Sequence, residues 1–133
     1  MSHIEIITIG DELIEGRLVD TNAGLISERL TAEGFDVVSH LSVGDNIRMI
    51  SEALQSAAVR SDAVLVSGGL GPTSDDLTAE AAAAAFGLPI VRSPEALEHV
   101  RGFFRDRGRR MTENNEKQAD LPGGCILLPN PGG

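Results

Sequence analysis

Apolar residues recur along the chain in two alternating patterns. Ile4–Ile9 is β-branched and almost entirely apolar, which predicts a strand buried on both faces. Residues 37–43 and 63–66 form two further strand-like runs. Between them, apolar side chains recur at the spacing of one helix face, as in residues 47–58. Strands that alternate with helices predict a three-layer α/β/α domain with a mostly parallel sheet and right-handed crossovers.

Three local features add detail to this prediction. Asn22 has the side chain and the position of an N-cap for the first long helix. The run Ala63–Val66 is short and unbroken, so we expect it at the centre of the sheet. Cys125–Leu128 is predicted to be a last strand, in which Cys125 is a small core residue.

The polar stretch Ser67–Thr78 stands between an apolar run and an alanine-rich helix. Its glycines, Gly68, Gly69 and Gly71, let the backbone adopt positive φ angles and approach a ligand closely. The N–H groups at the start of the following helix attract anions, phosphate above all. This order of strand, glycine turn and helix predicts a phosphate-binding loop, although a tight turn without a ligand can contain the same glycines.

Two better-known phosphate loops are excluded. A Walker A loop ends in Gly-Lys-Ser or Gly-Lys-Thr, whereas the only lysine of this chain is Lys117. A dinucleotide-binding fingerprint needs a third glycine at the position of Ser74. We therefore expect backbone N–H groups and a cation to supply the positive charge that a phosphate needs.

Carboxylates accompany this loop at the predicted ligand site. The carboxyl ends of parallel strands meet at one edge of a sheet, where ligands bind. Four segments should lie at that edge: Gly10–Glu12, Gly44–Asp45, Gly68–Asp76 and Asn130–Gly132. Hard cations such as Mg²⁺ bind carboxylates together with substrate phosphates. The alternative is that Asp45 and Asp75 are only turn or cap residues.

Composition narrows the class of partner. The chain of 133 residues is the size of one domain, and its formal net charge of −9 argues against a nucleic-acid-binding surface. Trp and Tyr, which would stack on bases, are absent. The sequence has neither a signal peptide nor an apolar run of membrane-spanning length, so we expect a cytoplasmic protein that does not bind membranes. The expected partner is a phosphorylated small molecule.

The stretch Ser67–Thr78 resembles the signature of the molybdopterin-binding superfold, which includes MoaB, MogA and the central domain of MoeA. Its Gly-Leu-Gly-Pro-Thr-x-Asp-Asp-Leu-Thr form resembles in particular the competence/damage-inducible protein A (CinA) family. Gly10–Leu13 and residues 114–119 are similar to further CinA motifs. The resemblance runs from residue 6 to residue 131 and implies a single MoaB/MogA-like domain over residues 1–133.

The resemblance departs from the family at the C-terminus. The family motif continues from Asn-Pro into Gly-Thr-Ala-Pro-Gly, whereas this chain stops at Gly133. The nicotinamide mononucleotide deamidase domain of many CinA proteins is also missing. We therefore expect a domain truncated at its C-terminus, with apolar surface near residues 126–128 through which it forms a homo-oligomer.

The CinA resemblance implies a metal-dependent ADP-ribose pyrophosphatase, which produces AMP and ribose 5-phosphate. The implied site residues are Asp76 and Asp45 for catalysis; Gly68, Gly69, Gly71 and Thr73 for phosphate; Gly10, Asp11, Glu12 and Asn130 for the pocket; and Asp76, Asp45 and Asp75 for a divalent metal, Mg²⁺. The alternatives are a module that binds molybdopterin for molybdenum cofactor biosynthesis, or a non-catalytic regulatory domain.

Overall fold

A three-stranded parallel sheet forms the centre of the computed structural model, which describes residues 2–132. The strands are β1 (His3–Ile9), β2 (Asp36–Val43) and β3 (Ala63–Ser67), in the order β2-β1-β3. β1 pairs in parallel with both of its neighbours. Its residues from Ile4 to Ile9 are all buried, which confirms the prediction of an interior strand.

Six α-helices and a short antiparallel arm surround this sheet within the described residues. The helices are α1 (Asp11–Ile14), α2 (Thr21–Ala32), α3 (Ile47–Arg60), α4 (Thr78–Phe86), α5 (Pro94–Asp106) and α6 (Glu113–Glu116), with a 3-10 turn at Lys117–Ala119. The arm pairs β4 (Ile90–Arg92) with β5 (Asp120–Pro122). In the part of the chain from residue 2 to residue 132, no helix combines the length and apolarity needed to cross a membrane.

The two faces of the sheet are covered by different helices. Ile7 and Ile9 of β1 pack into one core cluster with α3 and α4, through residues such as Ile50 and Ala81. Thr8 lies between Ile7 and Ile9, so its side chain points to the opposite face, where its hydroxyl donates a hydrogen bond to Asp20 at the start of α2. The predicted three-layer α/β/α arrangement is therefore confirmed. Ile50 is fully buried, so its replacement by alanine would cost about 2–5 kcal/mol.

One charged side chain lies within this core. Glu5 in β1 is 1% exposed, and it accepts two hydrogen bonds of 2.7 Å from the guanidinium of Arg60 at the end of α3. Ser39 of β2 donates a further bond of 2.8 Å. These bonds, that of Arg60 above all, outweigh burial and lower the pKa of Glu5. A buried carboxylate with this set of partners remains ionised.

Two sequence predictions about strands are wrong. β3 lies at an edge of the three-stranded sheet, because β1 is the strand that is apolar on both faces and takes the centre. Leu65 of β3 is accordingly 39% exposed. Cys125–Leu128 is not a strand: the chain turns at Gly124 with φ 82°, and the residues after it are exposed, Ile126 at 86%. No described strand lies beside them to provide hydrogen bonds, so their apolar character alone does not make them extended.

A third correction concerns the start of α2. Asp20, not Asn22, is its N-cap, and the Asp20 carboxylate accepts a hydrogen bond of 3.1 Å from the Ala23 N–H. An aspartate two residues earlier in the chain serves the same purpose, so the helix begins sooner than predicted. The side chain of Asn22 donates instead to the hydroxyl of Ser67, at 3.2 Å.

Candidate functional site

The loop between β3 and α4 requires glycine at its first two positions. Gly68 has φ 98° and Gly69 has φ 69°, a left-handed region that other residues rarely adopt. A Cβ atom on Gly68 would lie 2.2 Å from the carbonyl oxygen of Ile9. One on Gly69 would lie 2.1 Å from the hydroxyl of Thr78. The loop therefore passes directly over the end of β1, at the carboxyl edge of the sheet, as the sequence predicted.

Thr78, the first residue of α4, fastens this loop to the helix. Its hydroxyl donates to the carbonyl oxygen of Gly68 at 2.7 Å, and its N–H donates to that of Gly69 at 3.1 Å. Within residues 2–132, the N–H groups of Gly69 and Leu70 have no protein acceptor. Two backbone donors are thus left for a ligand. Sequence reasoning did not single out Thr78; its signal is a threonine at the first position of a helix that follows a glycine turn.

Asp76 closes the second half of the loop. One of its carboxylate oxygens accepts hydrogen bonds from the N–H of Thr73, at 2.9 Å, and from its hydroxyl, at 2.7 Å. Burial acts to raise the pKa of Asp76, but the bonds from Thr73 and Gly71 and the charge of Lys117 lower it overall. Asp76 does not cap α4, whose N-cap is Leu77. The donors of Gly71 and Thr73, expected to face a phosphate, are directed at this carboxylate.

Lys117 contacts this loop from a distant part of the chain. Its ammonium donates to the backbone carbonyl oxygens of both Thr73 and Asp76, from a segment 41 residues or more further along the chain. The sequence predicted no contact between Lys117 and this loop. Its membership of the motif at residues 114–119 was the available signal.

Asp11 and Asp45 hold two further loops against each other. The N–H of Asp45 donates to Asp11 Oδ1 at 2.8 Å, and the N–H of Asp11 donates to Asp45 Oδ2 at 3.2 Å. Gly44 leaves room for this contact, because a Cβ there would lie 2.7 Å from Asp11 Oδ1. Gly10 likewise leaves room for the side chain of Glu12, because a Cβ at Gly10 would lie 2.4 Å from Glu12 Oε1.

The carboxylates of this edge repel one another. Burial raises the pKa of Asp45, and the charges of Asp11, Glu12 and Asp75 raise it further, against the lowering effect of the Asp11 N–H. The predicted meeting of carboxylates from three loops is thus present. Among residues 2–132, no three His, Cys, Asp or Glu side chains are grouped so that they alone would hold a metal ion.

A large cavity adjoins the glycine loop. It has a volume of about 560 Å³ and lies between the loop, the beginnings of α4 and α5, and the segment 127–130. Four predicted site residues line it, Gly69, Gly71, Asp76 and Asn130. Sequence reasoning predicted no site role for four other residues that line it: Glu80, Glu95, His99 and Gln118. Their isolated positions in the sequence carry no signal, because only the fold brings them together.

The remaining predicted pocket residues lie elsewhere along the edge. Glu12 and Gly68 line a second cavity of about 110 Å³, beside Asp20 and Thr8. Burial acts to raise the pKa of Asp20, but hydrogen bonds, that of Thr8 first, lower it overall. The glycine loop therefore divides the predicted site. The larger cleft lies on one side of the loop, whereas the smaller cavity and the carboxylates of Asp11 and Asp45 lie outside that cleft.

Known proteins resemble this chain over most of its length. Residues 5–129 match the family described as "Probable molybdopterin binding domain". The CinA-like protein of Citrifermentans bemidjiense is 49% identical over 128 residues, which cover 96% of this chain and 31% of that protein. The chain thus spans under a third of the length of this relative.

Solved structures agree with the sequence matches. CinA from Thermoplasma acidophilum superposes with a TM-score of 0.89 at 35% identity, covering 99% of this chain and 77% of that one. MoaB from Thermus thermophilus superposes with a TM-score of 0.61 at 26% identity, covering 90% of this chain and 71% of that one. The chain belongs to the CinA family, and its residues 5–129 form a domain of the molybdopterin-binding type.

Proposed function

We propose that this domain binds the diphosphate of ADP-ribose on the glycine loop and hydrolyses it, with a divalent metal ion, to AMP and ribose 5-phosphate. The observation that supports this most directly is that the N–H groups of Gly69 and Leu70 have no acceptor among residues 2–132, beside a cleft of about 560 Å³. Adjacent backbone N–H groups in a glycine turn can form a concave site for phosphate oxygens.

Some charges around the loop attract a diphosphate, and others repel it. The ammonium of Lys117 and the N-terminus of α4, a helix of nine residues, are attractive to an anion. The carboxylates of Asp11, Glu12, Asp45 and Asp75 repel one. A divalent cation between these carboxylates and the phosphates would remove that repulsion.

The donor set fits Mg²⁺ or a similar hard cation. The carboxylates that raise the pKa of Asp45 offer only oxygen ligands, and Mg²⁺ is usually held by one or two carboxylates together with substrate phosphates. Asp75, together with the substrate phosphates, would hold the ion. When bound, it would neutralise charge on the phosphate oxygens and lower the pKa of a bound water. Asp76 supports the site through Thr73, whose donors it orients.

Asp45 is the residue of this set best suited to accept a proton. Its raised pKa makes it a stronger base than an ordinary aspartate. In the proposed reaction a water molecule attacks one phosphorus, one bond to the bridging oxygen breaks, and the departing phosphate keeps that oxygen. The proton of the water passes to Asp45.

The test is a direct assay of the products. Purified protein is incubated with ADP-ribose and Mg²⁺, and AMP and ribose 5-phosphate are measured by chromatography; equal amounts of each are expected. Asp45→Asn should reduce the rate at least about 100-fold, the usual contribution of a general base. Arg109→Met, at an exposed position, is the control. Absence of both products with Mg²⁺ and with Mn²⁺ would refute the proposal.

A second candidate function is the binding of molybdopterin. It is favoured by the family description and by the likeness to MoaB, a molybdopterin biosynthesis enzyme by its description. The same loop would bind the pterin phosphate, and the largely apolar cleft would enclose the ring system. Thermal shifts with molybdopterin, ADP-ribose and AMP separate the two candidates, because only one ligand should stabilise the protein at micromolar concentration.

A further inference from the structure

The glycine loop contains no basic side chain of its own, yet an ammonium group touches it. Lys117 is the only lysine of the chain, and its Nζ donates to the carbonyl oxygens of Thr73 and Asp76. These carbonyls lie at the two ends of the turn formed by residues 73–76. Within this turn, the carboxylate of Asp76 accepts hydrogen bonds from the N–H and the hydroxyl of Thr73. One cation and one anion therefore fasten the same four-residue turn from two directions.

The backbone that carries Lys117 is itself firmly held. On its N-terminal side, a capping box between Thr112 and Asn115 closes α6. On its C-terminal side Ala119 is fully buried, and its carbonyl oxygen accepts a hydrogen bond of 2.8 Å from the Ser93 N–H. Arg92 links Glu116 and Asp120, at 2.8 Å and 2.7 Å. These contacts fix the base of the lysine and leave its flexible stem to reach the loop.

The two contacts of Lys117 determine where neighbouring N–H groups point. In a trans peptide the C=O and the next N–H are antiparallel. When the carbonyls of Thr73 and Asp76 face Lys117, the N–H groups of Ser74 and Leu77 face away from it. Within residues 2–132 neither group has a protein acceptor. Lys117 thus orients two donors that the loop alone would not fix.

We propose that Lys117 is a positioning residue for phosphate binding, and that it replaces from outside the loop the lysine that this loop lacks. The identity of the phosphate ligand rests on the proposed function. The role of Lys117 does not rest on the proposed function, because any oxyanion that binds the loop depends on the orientation of the same backbone N–H groups. Removing the ammonium should therefore weaken the binding of inorganic pyrophosphate as well as that of ADP-ribose.

The test compares variants of Lys117 with a charge-matched control. Lys117→Met keeps an unbranched stem without the charge, and Arg109→Met removes one positive charge from an exposed position in the same third of the chain. Pyrophosphate affinity is measured by calorimetry with Mg²⁺, and KM and kcat are measured with ADP-ribose. Lys117→Met is expected to weaken pyrophosphate binding at least tenfold and to raise KM by a similar factor, with kcat changed less than threefold. Arg109→Met should leave all three within twofold of wild type.

Two further measurements separate positioning from general stability. Lys117→Ala should recover pyrophosphate affinity when propylammonium is added, because a free alkylammonium can occupy the same two carbonyls; a merely destabilised protein would not recover. If Lys117→Met does not fold, Lys117→Gln, which keeps an N–H donor, is measured instead, with an expected loss of at least threefold. Pyrophosphate affinity of the uncharged, folded variant within twofold of wild type would overturn the inference. Wild-type protein that binds pyrophosphate but does not hydrolyse ADP-ribose would refute the proposed function alone.

Discussion

Thr78→Val tests how the glycine loop is held. Valine has almost the same shape as threonine and keeps the N–H bond to Gly69, but it removes the hydroxyl that donates to the Gly68 carbonyl at 2.7 Å. Thr78 is 6% exposed, whereas Gly68 is exposed, so the bond is partly buried. Loss of such a hydrogen bond costs about 0.5–1.5 kcal/mol. The new methyl group must also move away from the oxygen, so we expect a loss of about 2 kcal/mol.

Urea unfolding followed by circular dichroism measures this loss. For a domain of this size, about 2 kcal/mol corresponds to a fall in Tm of about 6–10 °C. Thr78→Ser, which keeps the hydroxyl, should lose less, and Thr31→Val, at an exposed position of α2, should change stability by under about 0.5 kcal/mol. Pyrophosphate binding should weaken in Thr78→Val only. A Thr78→Val protein as stable as Thr31→Val would refute the conclusion that this hydroxyl fastens the loop.

Three other changes have distinct expected outcomes. Because the pKa of Asp45 is raised above the ordinary value of 3.8, wild-type stability falls as pH rises from that value through the pKa of the folded protein, so Asp45→Asn should be more stable than wild type at pH 7 and no more stable below 3.8; thermal unfolding across pH measures this. Asp76→Asn should fold, because its amide oxygen can still accept both bonds from Thr73, and it should lower ADP-ribose turnover by less than the about 100-fold expected for Asp45→Asn. EDTA should abolish the remaining turnover and Mg²⁺ should restore it; a loss as large as that of Asp45→Asn would refute a purely orienting role for Asp76. Replacing both Ile126 and Leu128, exposed at 86% and 76%, by serine should reduce self-association in light scattering; an unchanged apparent mass would refute oligomerisation through this segment.

The sequence predicted the fold well where pattern and local chemistry agree. β1 reads as a buried strand because it is apolar at almost every position, and it is one. Ser93-Pro94 is a sequence typical of a helix start, and Ser93 is the N-cap of α5. The errors at β3 and at residues 125–128 share a cause. An apolar run indicates that a segment prefers burial, but its neighbours in the sheet are decided by the rest of the chain.

The site was predicted in outline rather than in detail. Gly68 and Gly69 occupy positive-φ positions, as their place after a strand suggested. The link between Asp76 and Lys117 was not foreseen, because 41 residues separate them and the lysine lies on a short helix with no phosphate-loop motif. The division of the site by the loop could not be predicted from the sequence either. The rule that ligands bind at the carboxyl ends of parallel strands places the segments at one edge, but it does not say on which side of a loop each segment lies.

The salt bridge between Glu5 and Arg60 has a consequence for the alignment of the whole sheet. A register shifted by two residues would keep each side chain of β1 on its own face, so the hydrophobic alternation alone does not exclude it. A shifted register would separate Glu5 from Arg60 and leave a carboxylate buried without a partner, at a cost of about 3–5 kcal/mol. The native register is the one that places the Ile9 carbonyl behind Gly68 and Asp11 opposite Asp45. An ion pair at the amino end of β1 therefore helps to align the phosphate loop at its carboxyl end.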